Sequence, residues 1–296
     1  MTVLFDTPMT TRALQRFFQQ EDLNFLLTNR IPRIALTRFM GRFSQIRSPL
    51  LARVSIAVWR VFSDLDLSDA KKQRFESLHD CFIRELKPDA RPVDMAADVL
   101  ASPSDAIVGA QGTVEQGQLF QAKGMPYTMR ELFGPAQDLA PFEGGHFMTL
   151  RLTSSMYHRF HAPDAARLEH VSYLSGDCWN VNPIALKRVE RLFCRNERAV
   201  LRMTLNDGTP IAIVPVAAVL VASMRLHAVD VEHHLRELNE ASGAHEWPCN
   251  TQVERGQEMG WFQHGSTLIV FTPRGFEPLV QTGERIRMGQ ELMRRV

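Results

Sequence analysis

A chain of 296 residues has room for one large or two small domains, and hydrophobic residues at 45% supply ample material for a core. Charged residues at 23% fit an ordinary folded domain, and a formal net charge of +1 gives no global reason to expect nucleic-acid binding. The four cysteines, Cys81, Cys178, Cys194 and Cys249, form no Cys-x-x-Cys pair and sit near no histidine at zinc-finger spacing. No metal site is therefore expected, and thiols this sparse point to a reducing, cytoplasmic compartment rather than a disulfide framework. Residues 1–12 lack an apolar run of signal-peptide type. No apolar stretch reaches the roughly 18 residues a spanning helix needs, so contact with a membrane is expected to be peripheral.

Taken in chain order, residues 13 to about 80 read as helical. Apolar side chains recur at helical spacing through Leu23, Leu26 and Leu27, then Ile34, Ala35, Phe39, Phe43 and Ile46, then Leu51, Val54, Val58, Val61 and Phe62. Ser68-Asp69 is a candidate cap for a helix running through Cys81 and Ile83. From about residue 98 the texture changes to short apolar runs, at 106–108, 147–152, 199–205 and 211–221, separated by Gly, Pro, Asn and Asp. Asn206-Asp207-Gly208 between two of these runs signals a hairpin, and runs at 267–271 and 285–288 fit further strands. The expected class is α+β, with N-terminal amphipathic helices packed on a mainly antiparallel β body. A helical region over residues 1–80 is expected to precede a catalytic domain over 81–296, with no flexible linker between them.

Between Asp22 and Asp64 no acidic residue occurs, while Arg30, Arg33, Arg38, Arg42, Arg47, Arg53 and Arg60 interleave with Phe, Leu, Ile and Trp59. A helix with one basic and one apolar face can lie in the headgroup plane of an anionic membrane. Solvated arginines on an ordinary surface helix are the competing reading. The lack of acids favours the membrane, since a solvated helix usually mixes signs.

Asp105, His161 and Ser266 could form an oriented base and an activated hydroxyl. Spacing alone does not select them, because ten histidines and many serines allow other triples. On the residues alone, His158 and His161 also read as structural or surface histidines, and Gly265-Ser266 as a turn between strands. A serine hydrolase is disfavoured because Ser266 sits in Gly-Ser-Thr rather than in a G-x-S-x-G elbow.

Five segments in order resemble those of the phosphatidylserine decarboxylase family. Residues 82–92, from Phe82 through Arg84, Leu86 and Pro88 to Arg91-Pro92, resemble its F-x-R-x-L-x-P-x-x-R-P segment. Ser102-Pro103-Ser104-Asp105 resembles its Pro-x-Asp turn, and Lys123-Gly124-Met125-Pro126-Tyr127 its K-G-x-x-Y segment. Tyr157-His158-Arg159-Phe160-His161-Ala162-Pro163 resembles Y-H-R-x-H-x-P, followed by Val181-Asn182-Pro183 and Asn196-Glu197-Arg198. Residues 256–267, through Glu258, Gly260, Phe262 and Gly265-Ser266-Thr267, resemble G-x-E-x-G-x-F-x-x-G-S-T.

The resemblance implies a precursor that cuts itself between Gly265 and Ser266, giving chains 1–265 and 266–296 that stay together as a heterodimer. Ser266 would become a covalent pyruvoyl group, the enzyme's own cofactor, with Asp105 and His161 activating it and His158 acting near the substrate. The implied reaction converts phosphatidylserine to phosphatidylethanolamine and carbon dioxide. The implied partners are that lipid and an anionic membrane surface, met peripherally on the cytoplasmic face of the cell membrane. The same machinery acting on a different aminoacyl lipid or amine, or a membrane-associated homologue that never matures, remains an alternative. Four departures stand out: Ala106 for a usual Gly, Met156 for a usual Asp, His264 for an apolar residue or Gly, and Ala217, Ala218 and Ala222 where glycines are expected.

Overall fold

The computed structural model describes residues 21–22, 25–26, 32–122, 125–134, 138–219, 224–229, 244–263 and 266–296. The readings at Leu23, Leu27, Arg30, Lys123-Gly124, Ala222, His264 and Gly265 lie outside the described residues.

Two helices, α1 (Arg33–Ser44) and α2 (Pro49–Phe62), lead into the body. Ser48 starts α2, its side chain accepting from the Leu51 amide at 3.4 Å, and Pro49 fills the first helical position, where a missing N–H costs nothing. One face of α2 buries Ala52 and Ile56, whereas Leu50, Val54, Val58, Val61 and Phe62 stay exposed. Ion pairing ties α1 down, with Arg33 Nη2 at 2.7 Å from Asp177 and its guanidinium 3.7 Å from the Trp179 ring centre. The expected helicity to residue 80 is interrupted at residues 45–48 and ends after Phe62. The following segment is irregular and folds Leu65, Ala70, Phe75 and Cys81 with Ile56 into a small second core. The next helix, α3 (Leu78–Phe82), is capped by Ser77, whose side chain accepts from the Asp80 amide at 3.0 Å. Ser68-Asp69 is not its cap, because Ser68 bonds Asp66 and Asp69 accepts from Arg91.

Sixteen strands follow among the described residues. In chain order they begin with β1 (Val99–Ala101), β2 (Ala106–Thr113), β3 (Gln118–Ala122), β4 (Met125–Thr128), β5 (His146–Arg151) and β6 (Arg159–His161). Next come β7 (Ala166–Leu174), β8 (Arg198–Leu205), β9 (Pro210–Ala217), β10 (Met224–Leu226) and β11 (Ala244–Val253). The last are β12 (Glu258–Phe262), β13 (Ser266–Thr272), β14 (Phe276–Pro278), β15 (Arg285–Ile286) and β16 (Glu291–Arg295). Eight of them form one sheet in the order β11-β7-β8-β9-β13-β5-β2-β15, and every ladder pairing is antiparallel. The hairpin at residues 206–208 joins β8 to β9, with Gly208 at φ 88°, a conformation that glycine adopts without the steric cost other residues meet.

Two expected strands are shorter than their apolar runs. β9 stops at Ala217, where Glu197 accepts the Ala217 amide and the Asn196 side chain donates to its carbonyl. β15 stops at Ile286, because the Met288 amide turns to a carboxylate instead of a neighbouring strand. β13 is buried along its whole length and runs between β5 and β9, which places Ser266 at the start of a central core strand.

Candidate active site

Ser266 is fully buried and opens β13 opposite Ala217, and its carbonyl accepts the Leu152 amide at 2.9 Å. Its Oγ has no hydrogen-bond partner among the described residues. Such a group is costly in a core, since a buried hydroxyl left unpaired loses about 1–3 kcal/mol.

His161 ends β6, and its backbone amide donates to Pro103 of the Ser-Pro-Ser-Asp turn at 2.8 Å. Its Nδ1 lies 2.8 Å from the Gly256 carbonyl, and its Nε2 lies 3.0 Å from the Tyr157 hydroxyl. A carbonyl can only accept, so Nδ1 carries the proton and Nε2 is the basic nitrogen, facing a donating Tyr157. Burial lowers the pKa of His161 against the opposing pull of the Gly256 bond, so the imidazole is neutral at neutral pH. Gly256 supplies this carbonyl at φ 77°, and a Cβ there would come within 2.7 Å of Val93.

Asp105 does not orient His161 by a hydrogen bond, contrary to the sequence-based expectation. Arg91 takes both carboxylate oxygens, Nε to Oδ1 at 2.8 Å and Nη2 to Oδ2 at 2.7 Å, and the Met288 amide donates to Oδ1 at 2.9 Å. Arg91 also reaches Asp69 at 2.9 Å. A planar guanidinium matches a carboxylate edge-on, which leaves the carboxylate little capacity for an imidazole. The two residues share the turn at 102–105, but Asp105 anchors that turn rather than the ring.

Sheet register sets the distance to Ser266. Ile107, Arg151 and Thr267 face one another across β2, β5 and β13, so Asp105 lies just past the row that holds Ser266, two strands away. At strand spacing that separation is roughly 10 Å. No hydrogen bond joins Asp105 or His161 to Ser266 among the described residues.

His158 is fully buried and its ring packs against Phe82 at a 40° tilt, with centroids 4.1 Å apart; Phe82 in turn stacks on Trp59 of α2 at 5.5 Å. Phe82 and Trp59 line a cavity of about 540 Å³ between the helix pair and the sheet end. Leu152, whose amide bonds the Ser266 carbonyl, and Ala218, which follows the ladder partner Ala217, line it too, so the cavity reaches the start of β13.

Residues 78–294 match the family model described as phosphatidylserine decarboxylase. The chain belongs to the phosphatidylserine decarboxylase family. It is 35% identical to a phosphatidylserine decarboxylase proenzyme of Psychromonas ingrahamii over 270 residues, 88% of this chain and 93% of that one. It is 34% identical to the proenzyme of Chromobacterium violaceum, covering 90% of this chain and 98% of the relative, and 32% identical to that of Brevibacillus brevis, covering 90% and 95%.

In this family member the structure gives work to residues that sequence reasoning quoted without a role. Arg91 clamps Asp105, and Tyr157 holds His161 Nε2. Arg159 of the Tyr-His-Arg segment pairs with Glu258 at 2.8 Å and donates to the Ile83 carbonyl, joining three of the resembling segments. Arg198 is buried and donates to the carbonyls of Glu131, Leu132, Cys194 and Asn196, which makes it a structural staple.

Proposed function

We propose that the protein decarboxylates phosphatidylserine after cutting itself at Gly265-Ser266, with Ser266 as nucleophile and pyruvoyl precursor. The observation that carries this is Ser266: a buried hydroxyl with no partner among the described residues, at the start of a core strand and beside an apolar cavity. Ser266 fits conversion to a carbonyl group, because maturation removes the very oxygen the fold leaves unpaired.

Ser266 Oγ attacks the Gly265 carbonyl carbon, and the peptide nitrogen leaves to give an ester. Loss of the Ser266 α-proton expels the Gly265 carboxylate and leaves dehydroalanine. Water then replaces the nitrogen, which departs as ammonia. His161 Nε2 takes the hydroxyl proton, the task for which its neutral, buried ring is suited. Tyr157 caps Nε2 in the precursor, so base action requires that hydroxyl to turn aside or relay the proton. Through Arg91, Asp105 fixes the turn whose Pro103 carbonyl accepts the His161 amide. Once formed, the pyruvoyl carbonyl supplies a sink for the electrons left by departing carbon dioxide. His158, behind Phe82, is the proton donor to the carbon that loses carbon dioxide.

Cleavage would not release residues 266–296. β13 is flanked on both sides by strands of the longer chain, β16 pairs with β1 and β15 with β2, so the two chains remain one folded heterodimer.

The lipid is met at an anionic membrane surface on the cytoplasmic face. No described helix is long and apolar enough to cross a bilayer. The exposed stripe Leu50-Val54-Val58-Val61-Phe62 recurs on one side of α2, and Val58 belongs both to it and to the cavity wall. Arg38, Arg42 and Arg47 are exposed nearby, in α1 and the turn after it. An interfacial helix pair of this kind presents the cavity mouth to the headgroup layer.

The test is intact mass with turnover. Wild-type protein should give two chains, the shorter being 31 residues with a carbonyl at its start. Ser266→Ala should give one chain of 33.7 kDa and no carbon dioxide from phosphatidylserine. Splitting of Ser266→Ala at the same bond would remove Ser266 from its role.

A further inference from the structure

We propose that Arg151 binds the phosphate diester of the substrate headgroup and so places the serine moiety at position 266. The inference rests on the decarboxylase reading above and adds a residue with no partner in the resembling segments. Arg151 is the last residue of β5, opposite Thr267. The next residue, Leu152, donates its amide to the Ser266 carbonyl at 2.9 Å, and both Arg151 and Leu152 line the cavity. Among the described residues lining that cavity, Arg151 is the one charged side chain; the cavity's other walls include Met40, Val58, Trp59, Phe82 and Val181.

Several other half-buried arginines are matched, although Arg202 on β8, outside the cavity lining, also leaves its Nε without a partner among the described residues. Arg91 has Asp105 and Asp69, Arg159 has Glu258, Arg255 has Asp164, and Arg33 has Asp177. Arg198 spends its donors on backbone carbonyls. Arg151 has neither a carboxylate nor a carbonyl partner among the described residues, and burial alone lowers its pKa without an opposing acid. A partly desolvated guanidinium with open donors, facing an apolar cavity, is built to receive an anion that arrives with the ligand.

The headgroup brings two anions, a phosphate and a carboxylate. A cation fixed on the carboxylate would hold the charge that the reaction must expel, stabilising the ground state against loss of carbon dioxide. The phosphate keeps its charge throughout. Binding it lowers KM without opposing chemistry, and it leaves the carboxylate in the apolar part of the cavity, where charge is least favoured.

The experiment compares wild type, Arg151→Gln and Arg151→Lys after maturation, with appearance of the 266–296 fragment as the check on folding. On dihexanoylphosphatidylserine, Arg151→Gln should raise KM about 10–100-fold with kcat within about threefold, and Arg151→Lys should recover part of the loss. On an analogue with serine joined to the glycerol lipid by an ether and no phosphate, wild type and Arg151→Gln should have equal kcat/KM. An equal loss on both substrates, or an unchanged KM on the first, overturns the assignment.

A second measurement needs no turnover and no variant. Phenylglyoxal should modify Arg151 of the wild type, read by peptide mass, and glycerophosphoethanolamine should protect it while ethanolamine does not. Equal protection by inorganic phosphate would overturn a headgroup site in favour of a general phosphate site, and no protection by either would overturn both. Wild type that matures but leaves phosphatidylserine untouched would defeat the decarboxylase reading instead, whatever the protection result.

Discussion

Asp105 tests the site most sharply, because two ideas about it predict different outcomes. If Asp105 acts through Arg91, removing either residue should damage maturation alike. If Asp105 instead oriented the imidazole, Arg91→Ala would spare it. The structure sets the magnitude: two charge-assisted bonds at 2.8 and 2.7 Å and one from the Met288 amide at 2.9 Å, with both side chains about 10% exposed. Breaking one side of a buried pair costs about 3–5 kcal/mol, and the surviving Asp69 contact at 2.9 Å places Asp105→Ala near the lower end. A shift of the 102–105 turn by about 1 Å would also misplace His161, whose amide it holds, and slow self-cleavage about 10²-fold. The assay is a double-mutant cycle on Asp105→Ala and Arg91→Ala, read by thermal unfolding of the uncleaved Ser266→Ala background and by the rate of fragment appearance in the wild-type background. The expected coupling is about 2–4 kcal/mol, with the double variant little worse than either single one. Additive losses, or normal processing in Arg91→Ala, would refute the reasoning.

His161→Ala should slow self-cleavage about 10²–10⁴-fold, and in the wild type the cleavage rate should hold from pH 8 to pH 7 and fall only below the ordinary histidine value of 6.5, because burial lowers this pKa. The same sign applies to stability: the unfolded chain takes up the proton first, so the contribution of His161 is present above pH 6.5 and lost as pH falls. An acid limb centred above 6.5 in a rate profile would contradict a neutral, buried base. His158→Ala should yield the 266–296 fragment normally yet lose about 10²-fold in turnover, measured as released carbon dioxide; full turnover would make it a structural histidine packed on Phe82. Replacing Arg38, Arg42 and Arg47 by Glu should weaken flotation with anionic vesicles at least about 100-fold, at about 1 kcal/mol per cation removed, while leaving cleavage intact. Equal flotation would mean that α1 and the turn after it face no lipid.

The strands were legible because their apolar runs are bounded by turn residues with strong local preferences, as at Asn206-Asp207-Gly208. What sequence patterns could not show is where a run is interrupted from outside. Residues 211–221 read as one strand, but the pairing of Ala217 with Glu197 and Asn196 ends β9 early. The helix start was misplaced for a similar reason: Ser68 is held by the local carboxylate of Asp66 and Asp69 by the distant Arg91, and Ser77 caps the helix instead. At the site, residue types pointed to Asp105, His161 and Ser266, yet chemistry learned from hydrolases suggested the wrong bond. A carboxylate beside a histidine is drawn to whichever donor is planar, charged and within reach, and Arg91, 14 residues earlier in the chain, meets all three conditions.

Where the fold places Ser266 also explains how a chain could be cut in its core without losing the fold. Ser266 is the first residue of β13, so the proposed break lies at the end of a ladder and not within it. Seven buried residues then remain in the ladder: Thr267 to Phe271 are paired on both sides, Ser266 lies opposite Ala217 and Thr272 opposite His146. At about 0.5–1.5 kcal/mol for each backbone hydrogen bond, together with the apolar burial of Leu268, Ile269, Val270 and Phe271, the short chain has ample reason to stay. The severed end gains freedom only ahead of the strand, which is where Leu152 and Ala218 open onto the cavity. A new carbonyl formed there would be held by its strand on one side and open to a lipid headgroup on the other, which is the geometry that a cofactor made from the chain itself requires.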